Sequence, residues 1–259
     1  MPYHRRVSSS TLITGAAGGI GRAVARRVLA AGGRVALLDS DHEQLERVAA
    51  ELGAGDRVAT LPTDVTDAEA VQRSLAAATA RFGTVDHAVC AAGVLRPATV
   101  LDGSPADWEH HLQVNATGTF HTLRAVVPPM IDRRRGAVVV VGSNAAQVPR
   151  RSMAAYAASK AAAAALTRCL GLEAAPYGVR CNVVEPGSTD TGMQRDLWRD
   201  PDDGARRAVD GDPAEFRLGI PLGRIAEPDD VAGVITFLLS DDARHVTLQR
   251  VLVDGGASL

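Results

Sequence analysis

Lysine is almost missing from this chain. Of 28 basic residues only Lys160 is a lysine, and every other one is an arginine. Aromatic residues make up 3%, so the helices must pack through small and aliphatic side chains. Cysteine is scarce too. Cys90, Cys169 and Cys181 have no metal-ligand spacing, and an odd count without a paired framework fits a reducing cytoplasm. No metal is expected. Charge of one sign does not dominate, since 28 basic residues face 30 acidic ones for a net −2. That balance argues against a general binder of nucleic acid or of anionic membranes. The one dense basic run, Arg133 to Arg135, reads as a solvated helix end. No apolar stretch is long and polar-free enough to span a bilayer. The opening MPYHRRVSSS leads straight into a strand-like run and lacks a secretory apolar core. A cytoplasmic location is the expectation.

What is present is alternation. Short apolar strand-like runs take turns with longer helical stretches, without repeats or low-complexity linkers. This is the pattern of an α/β protein, a single doubly wound parallel sheet with helices on both faces. Strands are expected at Ser10 to Thr14, Arg34 to Leu38, Val58 to Leu61, Asp86 to Cys90, Ala137 to Val141, Arg180 to Val184 and Arg250 to Val253. Helices are expected at about Ile20 to Ala31, Asp41 to Leu52, Asp67 to Phe82, Trp108 to Ile131, Ser152 to Ala175 and Pro228 to Leu239. Residues 1–259 read as one domain. Residues 188–226, of mixed polarity, read as a lid or substrate loop.

Between the first strand and helix stands Thr14-Gly15-Ala16-Ala17-Gly18-Gly19-Ile20-Gly21. Glycines let a backbone approach a pyrophosphate, and the following helix N-terminus offers free N–H groups and a favourable dipole. Placement between strand and helix favours a nucleotide site over an ordinary turn. Asp39 closes the second strand. Its carboxylate suits the adenosine ribose hydroxyls and repels a 2′-phosphate, favouring NAD; the competing role is a helix cap. Asp64 is placed either to meet adenine or to cap the next helix, although Asp67 is the better cap. Tyr156 and Lys160 are four apart and share a helix face. A neighbouring ammonium stabilises a phenolate, making the pair a candidate proton-transfer device.

The glycine turn, Asn115, Ser143 and Tyr156-x-x-x-Lys160, together with Cys90-Ala91-Ala92-Gly93 and Pro186-Gly187, resemble the short-chain dehydrogenase/reductase family over nearly the whole chain. The resemblance implies a Rossmann-like fold and an NAD-dependent dehydrogenase that assembles as a homotetramer. It implies Tyr156 as general acid/base, Lys160 lowering its pKa and holding the nicotinamide ribose, Ser143 holding the substrate oxygen, and Asn115 keeping a kink and a water path. It also implies cofactor contacts from Gly15, Gly18, Gly19, Ile20, Gly21, Asp39, Asp64, Val65, Ala91, Gly93, Pro186, Gly187 and Thr189.

Longer stretches outside those motifs, including Gly178 to Trp198, Phe216 to Pro228 and His245 to Leu259, are similar to a branch of the family that supplies a catechol acid for siderophores. The implied reaction is oxidation of 2,3-dihydro-2,3-dihydroxybenzoate to 2,3-dihydroxybenzoate. The substrate is a small aromatic-acid precursor whose carboxylate needs an arginine, either Arg150 or Arg96. Gln147, Met193 and Trp198 are candidate pocket walls. Glu185 stands where a small neutral residue is more usual, facing either substrate or solvent. It keeps open an amino-substituted substrate, trans-2,3-dihydro-3-hydroxyanthranilate. A general ketoreductase and a non-catalytic dinucleotide sensor are the remaining alternatives. Asp39 speaks against the first of these, and Tyr156 with Lys160 against the second.

Overall fold

The structure, a computed structural model, describes residues 9–198 and 200–258. Seven parallel strands form one sheet in the order β3-β2-β1-β4-β5-β6-β7. They are β1 (Ser10–Thr14), β2 (Arg34–Asp39), β3 (Val58–Pro62), β4 (His87–Cys90), β5 (Gly136–Val141), β6 (Val179–Pro186) and β7 (Arg250–Val253). The central strands are buried on both faces, which explains why β5 reads as a continuous apolar run. Successive residues serve opposite faces. Leu12 and Val138 join Val71, Leu123 and Met130 in one core cluster. Ile13 and Val139 join Val24, Leu45 and Ile235 in the other.

The helices are α1 (Gly19–Ala30), α2 (His42–Leu52), α3 (Ala68–Phe82), α4 (Pro105–His111), α5 (Gly118–Asp132), α6 (Ala154–Ala174), α7 (Gly192–Arg195), α8 (Pro201–Asp210) and α9 (Pro228–Leu239). Asp41 caps α2 by accepting from Gln44 N–H, and Asp67 caps α3 by accepting from Glu69 and Ala70 N–H. Among the described residues no helix is long and apolar enough to cross a membrane.

The expected helix Trp108 to Ile131 differs in two ways. It starts at Pro105, because Ser104 accepts from Asp107 N–H and proline suits the first helical position. It is also interrupted by a π-turn over Leu112–Thr117. Strand β6 runs two residues past its expected end, since Glu185 and Pro186 still pair with Leu252 and Val253 of β7. The run Arg133 to Arg135 is not simply solvated. Arg133 donates to the carbonyls of Pro129 and Val85, and Arg134 to that of Pro176, so they tie the end of α5 to two neighbouring segments.

Strand order reverses between β1 and β4, which opens a crevice at the carboxyl ends of the strands. Residues 188–226 carry α7 and α8 over this edge. Their two ends meet where Ala226 N–H donates to Ser188 O at 2.9 Å.

Candidate active site

A cleft of about 1540 Å³ runs along that edge, from the turn after β1 to α7 and α8. Its floor at one end is the glycine turn. Gly15 has φ +67°, and a Cβ there would lie 2.5 Å from Ala92 N. At Gly21 a Cβ would lie 2.3 Å from Gly15 O. Only glycine fits both positions. No side chain caps α1, so the N–H groups of its first turn are free of an internal side-chain partner. Gly18, Gly19 and Ile20 line the same wall. This uncapped, side-chain-free corner fits a dinucleotide pyrophosphate.

Asp39 ends β2 at the rim. One carboxylate oxygen accepts from Ala17 N–H at 3.0 Å and the other from Asp41 N–H at 3.1 Å. Asp39 therefore ties strand to turn, and the helix cap is Asp41. Asp64 also borders the cleft, but one oxygen accepts from Thr66 N–H at 2.9 Å and Thr66 Oγ1 at 2.8 Å. Val65, Ala91, Gly93, Pro186, Gly187 and Thr189 line the middle of the cleft.

Tyr156, Lys160 and Ser143 line that stretch too, Asn115 is bonded to α6, which carries the first two, and all four are buried. Lys160 Nζ donates to Val141 O at 2.9 Å and lies 5.9 Å from the centre of the Tyr156 ring. Burial pulls the ammonium down to about 8. Burial also pushes the Tyr156 phenol up, and a hydrogen bond with Ser143 partly offsets this. The net shift of the phenol is upward, and the group that offsets it is Ser143 rather than Lys160. Ser143 in turn accepts from Ala145 N–H at 3.2 Å.

Asn115 sits inside the π-turn. Its Oδ1 accepts from Val94 N–H at 2.8 Å, and its Nδ2 donates to Val94 O at 3.0 Å and Ser159 Oγ at 2.9 Å. Ser159 Oγ donates to Tyr156 O at 2.7 Å. One amide therefore fastens the loop after β4 to the turn of α6 that bears both Tyr156 and Lys160. His111 adds a second brace. It is fully buried, accepts from Arg96 N–H at 3.0 Å, and meets the Tyr156 ring edge-on at 6.5 Å.

At the far end Arg150, Met193 and Trp198 line the cleft as expected. Arg96 does not line it. Its guanidinium pairs with Asp107 at 2.9 Å on the exposed side of α4. Gln147 is no wall either, because its amide turns away to donate to Glu185. Glu185 faces neither substrate nor solvent. It is fully buried, and Arg250 Nε and Nη2 donate to its Oε1 at 2.9 and 2.6 Å. Arg217, which the sequence did not single out, lines the cleft and donates to Ser188 Oγ at 2.8 Å. The only local hint was that Ser188 follows Pro186-Gly187. Trp198 packs on Gly204, where a Cβ would sit 2.2 Å from its Cγ, and its buried indole N–H has no partner among the described residues.

The chain matches the short chain dehydrogenase family over residues 9–202. It is 48% identical over 248 residues to the 2,3-dihydro-2,3-dihydroxybenzoate dehydrogenase of Bacillus subtilis (strain 168), covering 95% of each chain. It is 42% identical over 255 residues to a vibriobactin-specific 2,3-dihydro-2,3-dihydroxybenzoate dehydrogenase of Vibrio cholerae, covering 98% of this chain and 97% of that one. Among solved structures it resembles a 3-ketoacyl-(acyl-carrier-protein) reductase of Brucella melitensis complexed with NADH. The TM-score is 0.86 at 28% identity, over 98% of this chain and 100% of the other. A seven-stranded parallel sheet, a capless glycine corner and a buried Tyr156–Lys160 pair agree with these matches, and the chain belongs to the short-chain dehydrogenase/reductase family.

Proposed function

We propose that this protein oxidises 2,3-dihydro-2,3-dihydroxybenzoate to 2,3-dihydroxybenzoate with NAD. The observation that carries the reading is the convergence, in one cleft, of a Ser143–Tyr156 proton site with the guanidinium of Arg150, which has no carboxylate partner among the described residues. The likeness to the two named dehydrogenases supports the same substrate. Bound NAD supplies the hydride acceptor and a positive charge near the phenol. Arg150 receives the ring carboxylate. Ser143 orients the carbinol oxygen, and Tyr156 as phenolate takes its proton while the carbinol hydrogen leaves as hydride. Lys160, held on the Val141 carbonyl, keeps a cation beside the phenolate. The cyclohexadienone product tautomerises to the aromatic acid, and aromatisation drives the oxidation.

Asp39 supports NAD over NADP. Among the described residues no unpaired cation stands beside it, since the neighbouring Arg22 pairs with Glu51 at 3.2 Å. Burial of Glu185 with Arg250 removes the acid that would have welcomed an amino substituent, favouring the dihydroxy substrate over the amino one. We also assign residues 188–226 as the lid of a single-domain enzyme, a homotetramer of the cytoplasm. The exposed Trp108, Phe120 and Leu172 on α4, α5 and α6 support pairing of helices across a two-fold axis, and three free cysteines support a reducing compartment. Incubation with NAD and each dihydroaromatic acid, tracking NADH absorbance and product identity, tests the reading. Formation of 2,3-dihydroxybenzoate is expected. No turnover, or turnover of the amino substrate alone, overturns it.

A further inference from the structure

We propose that Arg217, carried by the lid, joins Arg150 in a two-arginine clamp that makes a ring carboxylate a requirement for productive binding. The inference deepens the proposed function and rests on it for the identity of the substrate.

Among the described residues, six arginines line the cleft. Four of them have a carboxylate partner. Arg22 pairs with Glu51 at 3.2 Å, Arg151 with Glu215 at 3.1 Å, Arg195 with Asp190 at 2.7 Å and Arg207 with Asp212 at 2.7 Å. Arg150 and Arg217 are the two without one, and both are half-buried. The acids nearest them are already engaged. Asp212 also accepts from Ala214 N–H at 3.1 Å. Asp254 accepts from Asn144 Nδ2 at 3.3 Å and Gly256 N–H at 3.1 Å. Burial first, and then the charge of Arg150, hold Arg217 below the usual guanidinium range, so the two cations feel each other. Like charges held together in a half-buried wall are stabilised by an anion between them.

Arg217 is also aimed. Its backbone N–H donates to Asp212 O, and its O accepts from Asp212 N–H, both at 2.9 Å, which locks a short loop. Its side chain then spans to Ser188 Oγ, directly after the Pro186-Gly187 wall. Ser188 takes one of the five N–H groups of a guanidinium, leaving a fork for a carboxylate. The clamp links the lid to the substrate's charge, so that the lid closes over a carboxylated ring and not over a neutral one.

The test measures binding to the NADH-saturated enzyme by nucleotide fluorescence, with 2,3-dihydroxybenzoate and with catechol, which lacks the carboxylate. Turnover of the dihydro acid is measured in parallel. Arg217→Met is expected to weaken 2,3-dihydroxybenzoate tenfold to a hundredfold and to leave catechol and NADH unchanged, with about the loss seen in Arg150→Met. Arg217→Lys, which keeps the charge but not the fork, is expected to fall between. Equal losses for acid and catechol, no loss for either, or a wild-type enzyme that does not prefer the acid, overturns the clamp. If the wild type oxidises the dihydro acid while Arg217→Met weakens acid and catechol equally, or neither, the clamp fails and the proposed function stands. If Arg217→Met weakens the acid selectively but the wild type does not turn over the dihydro acid, the function fails and the clamp stands.

Discussion

Replacing Arg250 with methionine leaves Glu185 in the sheet without its cation. Glu185 is 0% exposed and sits on β6, two strand positions beyond Val183, beside the Gly142–Ser143 turn. Removing one partner of a buried ion pair costs about 3–5 kcal/mol, because the remaining charge stays desolvated. The Arg250 side chain is 27% exposed, so water recovers part of that loss, and Gln147 still donates to the carboxylate. About 3 kcal/mol is therefore the expected cost. For a chain of this size that is a fall of about 6 °C in the melting temperature. Thermal unfolding at pH 7, with NAD absent from wild type and variant alike, measures it. The double variant Arg250→Met, Glu185→Gln is expected to recover most of the loss, since a neutral amide carries a smaller desolvation penalty. An Arg250→Met protein melting within about 1 °C of wild type, or a double variant as unstable as the single one, would refute the reasoning.

The site itself sets other outcomes. Tyr156→Phe is expected to lower kcat by about 10²–10⁴-fold while NADH still binds, because only the proton acceptor is removed; rapid turnover in that variant counts against the mechanism. Asp39→Asn keeps an acceptor for Ala17 N–H and removes the charge, so the preference for NAD over NADP should shrink at least about tenfold. An unchanged ratio in steady-state kinetics contradicts the assignment. His87 is pulled down to about 4, first by burial and then by Arg180 and Arg135, against Asp86 and Asp241. Its unfolded form titrates near 6.5, so between those values the unfolded chain binds more protons, and stability falls as pH drops through that window. With the ring half-buried, about 2 kcal/mol is at stake. His87→Leu should lose about 4 °C less than wild type between about pH 7 and pH 4.5. Equal losses in melting temperature would remove this role.

The sheet was legible because its strands are apolar on both faces, so Val/Ile/Leu runs stand out between helical stretches. The Tyr156–Lys160 pairing was legible because a four-residue spacing is a local property of one helix. Other features depend on distant segments. Glu185 was misplaced because β6 continues as far as β7 pairs with it, and that pairing joins residues 67 apart, Val183 standing opposite Arg250. Arg96 was offered as a carboxylate partner on chain position alone. In the structure Asp107, one turn inside α4, takes it. Arg217 was overlooked in a chain full of arginines. What distinguishes it is that its neighbours' carboxylates are engaged elsewhere, and no single sequence displays that.

The π-turn at Leu112–Thr117 holds one residue more than a regular helical turn would. A deletion of one residue there would restore an unbroken α-helix and close the widened turn that carries Asn115. Asn115 would then lose its reach to Val94 and Ser159, although each neighbouring residue kept its identity. For this stretch, length is as binding a constraint as chemistry. A conservative replacement inside it is a smaller injury than a silent-looking gap.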